Sequence, residues 1–176
     1  CEALIPVLER KVKAFFHAHR ADDIFTAIRI AKEFQLDYVL IHATEGHTIA
    51  DILAEEKVSI IGGPFLCDRS KPELKGLTPE APAILAKCGL KTAICTDHPV
   101  IPIQYLPLCA SIAKEEGLDR QAALEAITIV PAKLCGIDDK VGSVRKGKQA
   151  DLCIFSRDPL GVCARPDIVI IDGKRV

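Results

Sequence analysis

Three short segments carry the residue types best suited to chemistry: Phe16-His17-Ala18-His19, Leu40-Ile41-His42 and Ile94-Cys95-Thr96-Asp97. Each closes an apolar run rich in β-formers, and the sequence between them reads as helical. Imidazoles and a carboxylate therefore fall at the carboxyl ends of successive parallel strands, where α/β folds build their active sites. Imidazole nitrogens with one carboxylate oxygen make a good ligand set for a catalytic Zn²⁺ or a similar divalent ion. His17 and His19 share one side of a strand end, because strand side chains alternate with a period of two. They could share one metal, or one could bind metal while the other meets substrate. His42 stands 25 residues beyond His17, a normal βα repeat length that puts the two on neighbouring strands. Asp97 closes the set, able to bind a metal and to carry the proton of an activated water.

Weaker candidates surround these. His98, between Asp97 and Pro99, is near enough in sequence to touch a substrate, and His47 opens a helix after Thr44-Glu45-Gly46. Arg20, directly after His19, and Arg69, in a polar loop, could hold an anionic substrate through bidentate contacts. Either could equally pair with a nearby Asp.

The elements that must position these groups follow from periodicity. Residues 1–10 read as the end of an amphipathic helix, with Leu4, Val7 and Leu8 at helical spacing. Strands are expected at 12–16, 38–41, 58–61 and 91–95. Helices are expected at 21–34, 48–56, from Thr78 to about Cys88, 104–116 and 119–134. Gly62-Gly63-Pro64 ends the third strand and allows close backbone approach to a ligand. From Val141 the character changes to two strands, 152–155 and 168–171, with turns at Arg157-Asp158-Pro159 and Asp172-Gly173. Four successive βα units imply a parallel sheet buried on both faces. That is half of a (β/α)8 barrel, residues 1–140, followed by a small β appendage, residues 141–176. A small open α/β sheet is the alternative, disfavoured because ligand-type residues recur at one structural level. A chain that opens inside a helix and holds no methionine reads as a piece of something longer.

Composition excludes several classes. The 176 residues, 49% hydrophobic, suffice for one domain with a real core, and the net charge of −1 supplies no field for nucleic acid or anionic lipid. No apolar run approaches the ~20 residues of a membrane span, and no export signal is visible. The eight cysteines include no Cys-x-x-Cys pair, so they read as reduced, buried thiols, and the cytoplasm is the expected compartment.

At these residues the chain resembles the amidohydrolase superfamily, particularly its imidazolonepropionase-like branch. The matching segments are Phe16-His17-Ala18-His19-Arg20, Ile41-His42-Ala43-Thr44-Glu45-Gly46 and Cys95-Thr96-Asp97-His98-Pro99. Residues 142–152, Gly-Ser-Val-Arg-Lys-Gly-Lys-Gln-Ala-Asp-Leu, look like the family's return from barrel to β-sandwich, and residues 169–174 look like its last hairpin. The resemblance implies the carboxyl-terminal half of a metal-dependent hydrolase barrel, its strands five to eight, with part of a composite β-sandwich. It implies one or two divalent ions, zinc foremost, held by His17, His42 and Asp97. Asp97 would also be the general acid/base, and His42 would bind a second metal or contact the substrate. His19, Arg20 and His98, by their places beside these residues in the sequence, are candidate substrate contacts. The reaction implied is hydrolysis of a carbon–nitrogen bond in a small amide or cyclic amide. The family's first-strand His-x-His and its fourth-strand bridging residue have no counterpart here, so the fragment alone is expected to be inactive. It should associate with itself or with the missing amino-terminal half. The competing expectation is a non-catalytic half-barrel serving as an interaction or assembly domain.

Overall fold

The computed structural model describes residues 2–162 and 164–176. Cys1, where the opening helix was expected to begin, and Cys163 lie outside the described residues. Four strands form a parallel sheet in sequence order: β1 (Ala14–Ala18), β2 (Tyr38–His42), β3 (Ile60–Gly62) and β4 (Thr92–Ile94). The crossovers carry α2 (Ala21–Glu33), α3 (Ala50–Glu55) and α4 (Ala81–Lys87). After β4 come α5 (Leu106–Glu115), α6 (Arg120–Glu125) and α7 (Ile129–Leu134). The register sets Ala18, His42, Gly62 and Ile94 side by side, so the four strand ends lie at one level.

Alternation along the strands decides what each face does. Phe16, Ala18, Leu40 and Ile60 pack on Ile24, Ala27, Ile28 and Leu53 of α2 and α3. Ile94 joins a second cluster with Ala83, Cys109, Ala110 and Ala123 of α4, α5 and α6. The opposite face is not covered as the sequence suggested: Phe15 and His17 are exposed and Ile41 and Ile61 are half-buried. Among the described residues, helices cover only one face of this sheet.

Several boundaries differ from the sequence reading for identifiable reasons. The opening helix is one turn, α1 (Ile5–Leu8), preceded by a 3₁₀ turn, and its Leu4, Ile5 and Leu8 are exposed. The helix expected over 119–134 is two helices. The Ala126 carbonyl accepts from the Ile94 backbone of β4 at 2.9 Å instead of continuing the helix. Pro131 also lacks the N–H that a continuous helix would need. Asp119 does cap α6, accepting from Ala122 N–H at 3.0 Å. In α4 the proline near the first turn is Pro82, with Thr78 outside the helix.

The tail is a separate antiparallel sheet with three strands rather than two: β5 (Leu152–Ile154), β6 (Ile168–Ile171) and β7 (Lys174–Arg175). Asp172 and Gly173 turn β6 into β7 with φ of 50° and 75°, the left-handed pair that a two-residue hairpin favours. The thiols also differ from expectation. Cys109 is buried, but Cys88, Cys135 and Cys153 are exposed, the first two because they cap the surface ends of α4 and α7. No helix among the described residues is long and apolar enough to cross a membrane.

Candidate metal centre

β1 and β2 deliver the histidines. His17 sits on the open face of β1, and His19 follows two residues later on the same side, with their Nε2 atoms 3.0 Å apart. His42 ends β2, and its Nε2 lies 3.2 Å from His17 Nδ1. By strict alternation His42 would point with Leu40 into the helix layer. Instead its φ of 72°, followed by 45° at Ala43, turns the imidazole toward His17. Left-handed backbone at non-glycine residues costs about 1–3 kcal/mol and persists where surrounding structure enforces it. Asp97 has the same character, with φ of 49° just beyond β4.

The second nitrogens are held from behind. His42 Nδ1 donates to the Gly63 carbonyl at 2.6 Å. A carbonyl only accepts, so His42 Nε2 carries the lone pair that faces the cluster. Gly63 can make this contact because it adopts φ of 123°, and any Cβ there would stand 2.4 Å from the Cys95 carbonyl oxygen. The close approach observed at this glycine pair is to the end of strand β4. His19 Nδ1 meets the Thr44 hydroxyl at 2.7 Å, and Thr44 is buried. Glu45 ties the loop together: its N–H donates to the His19 carbonyl at 2.8 Å, and its Oε2 accepts from Ala21 N–H at 2.9 Å.

Electrostatics favour the neutral form of His19 and His42. Burial, then the neighbouring His42 and His17, lower His19 to about 4. Burial lowers His42 as well; the Gly63 contact and the Asp97 charge oppose that shift. The His19 and His42 rings stack at 4.6 Å with 15° between planes, an arrangement that disfavours charge on both. Neutral imidazoles are the form that ligates a metal. One potential ligand atom from each of His17, His19 and His42 lies within 4.8 Å of the others. Three imidazoles within reach of one ion, with buried His19 and His42 held from behind by Thr44 and Gly63, fit a divalent transition metal.

The other residues singled out from sequence stand apart from this cluster. Asp97 is exposed at the end of β4, near enough for its charge to act on His42. His98 is exposed beside it. Arg20 is committed to Asp22 through bonds of 2.9 and 3.1 Å. Arg69 donates to the Leu77 carbonyl at 2.7 Å. His47 Nδ1 bonds the Thr44 carbonyl at 3.0 Å, within its own turn. Thr44 and the Gly63 carbonyl were not assigned roles from sequence. Thr44 follows His19 by the same 25 residues that separate His17 and His42, a register signal that could have marked it.

Comparison with known proteins settles the family. The sequence model of the amidohydrolase family matches residues 8–176. The chain belongs to the amidohydrolase family. It is 31% identical to the amidohydrolase tasK of Hapsidospora irregularis, over 98% of this chain and 18% of that protein. It superposes on the crystal structure of an amidohydrolase from Thermotoga maritima MSB8 with a TM-score of 0.95 and 43% identity, covering 99% of this chain and 46% of the other. An adenosine deaminase from Xanthomonas campestris, solved with bound zinc, shares the fold at TM-score 0.65 and 22% identity, over 94% of this chain and 45% of that one. This amidohydrolase chain therefore spans less than half the length of these relatives. Its parallel sheet is a partial (β/α)8 barrel, and its antiparallel sheet is the small appendage.

Proposed function

We propose that this chain supplies part of the metal site and the general acid/base of a hydrolase that cleaves a carbon–nitrogen bond. The convergence of His17, His19 and His42 at two adjacent strand ends is the observation that carries the reading. His17 and His42 would hold the ion, with His19 as third ligand or substrate contact and Asp97 completing the set from β4. Zinc suits an imidazole-rich site, and the relative from Xanthomonas campestris was solved with zinc. Whether one ion or two, its chemistry is Lewis-acid polarisation and a water made nucleophilic near neutral pH. Asp97 accepts the proton of the attacking water and returns it to the leaving nitrogen. Its exposure gives it access to both. His98, exposed beside Asp97, and Arg20, next to His19, would contact the substrate, Arg20 from its pair with Asp22. The substrate is a small amide or cyclic amide, as the imidazolonepropionase-like resemblance implies.

Residues 1–140 would contribute half of the barrel and residues 141–176 part of a composite β-sandwich. The remaining ligands and the cover for Phe15 and His17 come from sequence corresponding to the rest of the longer relatives. Exposed thiols at Cys88, Cys135 and Cys153 suit a reducing compartment, and we place the protein in the cytoplasm. The exposed open face also supports a second reading, an assembly half-barrel that binds another chain and performs no chemistry. The two separate on one experiment. In the zinc-loaded full-length protein, Asp97→Asn should abolish hydrolysis of lactams, hydantoins or acyl-amino acids while the circular dichroism spectrum stays native. Retained turnover removes Asp97 from its role, and no turnover on any such substrate in wild type favours the assembly reading.

A further inference from the structure

Two buried side-chain oxygens lack a hydrogen-bond partner among the described residues, Thr92 Oγ1 and Ser143 Oγ. Thr92 is the more deeply buried residue, 8% exposed at the start of β4. It pairs with Ile60 of β3, so both side chains point into the helix layer and away from the open face that carries His17. The Thr92 methyl is turned toward Gly62, where a Cβ would stand 3.3 Å from it. Thr92 also lines a cavity of about 340 Å³ between β4, α4 and α6, and with the methyl committed to Gly62 the hydroxyl is the group that remains for it. The walls are apolar: Pro82, Leu90, Leu118 and Val130 are buried, and Ala86 and Ala122 are too small to close the space. The charged groups at the rim are already engaged. Lys91 Nζ lies 3.4 Å from Glu125, and Asp119 accepts from Ala122 N–H at 3.0 Å as the cap of α6. The cavity opens at the amino end of β4, whereas the histidines stand at the carboxyl ends of β1 and β2.

We propose that this cavity is a second binding site, separate from the metal centre, for an uncharged and mainly aliphatic small molecule with one hydroxyl or carbonyl group. An apolar pocket of this size with a single convergent polar group is the usual form of a small-molecule site. A buried hydroxyl costs free energy until it is hydrogen-bonded, and a ligand hydroxyl or carbonyl supplies that bond. A charged ligand would lose its hydration against walls that offer no free counter-charge, because the rim charges pair with each other or cap a helix. The site is independent of the hydrolase reading above.

The test uses the full-length protein with cyclohexanol as probe and cyclohexylamine and cyclohexanecarboxylate as its charged counterparts. The methyl NMR signals of Leu90, Leu118 and Val130 should shift saturably with millimolar cyclohexanol. Thr92→Val should weaken that binding about fivefold, the worth of one hydrogen bond. Ala122→Leu, which fills the cavity, should abolish it, and Ala86→Met does the same service should Ala122→Leu fail to fold. Both charged probes should bind at least about fivefold more weakly than the alcohol. Shifts that never saturate, or that survive in the filled cavity, overturn the site and leave water as the partner of Thr92. Unchanged affinity in Thr92→Val, or equal binding of a charged probe, overturns the assigned ligand class.

Discussion

His42 shows how much a single residue's backbone decides. Its left-handed φ carries the imidazole out of the alternation that Leu40 obeys, and Gly63 then fixes which nitrogen is bare. Partners behind a ligand tune affinity by about 10–100-fold in metal sites. Thr44→Val, which removes the hydroxyl facing His19, should weaken zinc binding by about tenfold or more at constant fold, with Thr44→Ser restoring it. Competition with a zinc-chelating dye measures this directly. The proton balance of His19 gives a second outcome. In the unfolded chain the ring takes up a proton below pH 6.5, whereas in the fold it does so only near pH 4. Its neutral burial therefore stabilises the metal-free protein fully above pH 6.5, and that contribution is lost as pH falls toward 4. Denaturant midpoints of metal-free protein should decline over this window, and more steeply than in His19→Gln. At this scale the sequence displayed the histidine types and their strand ends. It could not display a positive φ at His42 or the Thr44 contact, which arise from how β1, β2 and the following loop lock together.

Among the elements, the βα alternation was legible because strand and helix periods differ and apolar residues kept to them. What stayed hidden were the competitors for backbone groups. Ala126 gives its carbonyl to β4, and so the run from Asp119 to Leu134 breaks into two helices. Gly63 gives its carbonyl to His42, and its place against Cys95 leaves no room for a side chain. Gly63→Ala should cost at least about 2 kcal/mol, from left-handed strain and a backbone clash. Zinc affinity should fall with it, both being read from chemical melts and metal titration of the same sample. Leu160 is the corresponding anchor for the appendage, only 1% exposed and packed into the α4–α6 cluster. Leu160→Ala should cost about 3 kcal/mol. The exposed Arg120–Asp158 pair beside it should contribute far less, because solvent and salt screen it. A double-mutant cycle on that pair, set beside Leu160→Ala, checks the contrast.

The whole molecule is a partial barrel of the amidohydrolase family, with one helix-covered face and one open face. Sequence patterning found the half-barrel and the appendage but not the open face, because apolar strands read alike whether one side or both are covered. The open face carries His17, so the state of the site depends on whatever lies across the sheet. Asp97 illustrates the same dependence, standing at the correct strand end but outside the three-histidine cluster. We propose that His17, His19 and His42 together hold a divalent ion. It is tested most directly by zinc content and affinity of the full-length protein and its His17→Ala, His19→Ala and His42→Ala variants, each checked for native circular dichroism. Wild type should bind zinc stoichiometrically, and each variant should lose at least tenfold in affinity. Variants that retain wild-type zinc content and affinity would contradict it.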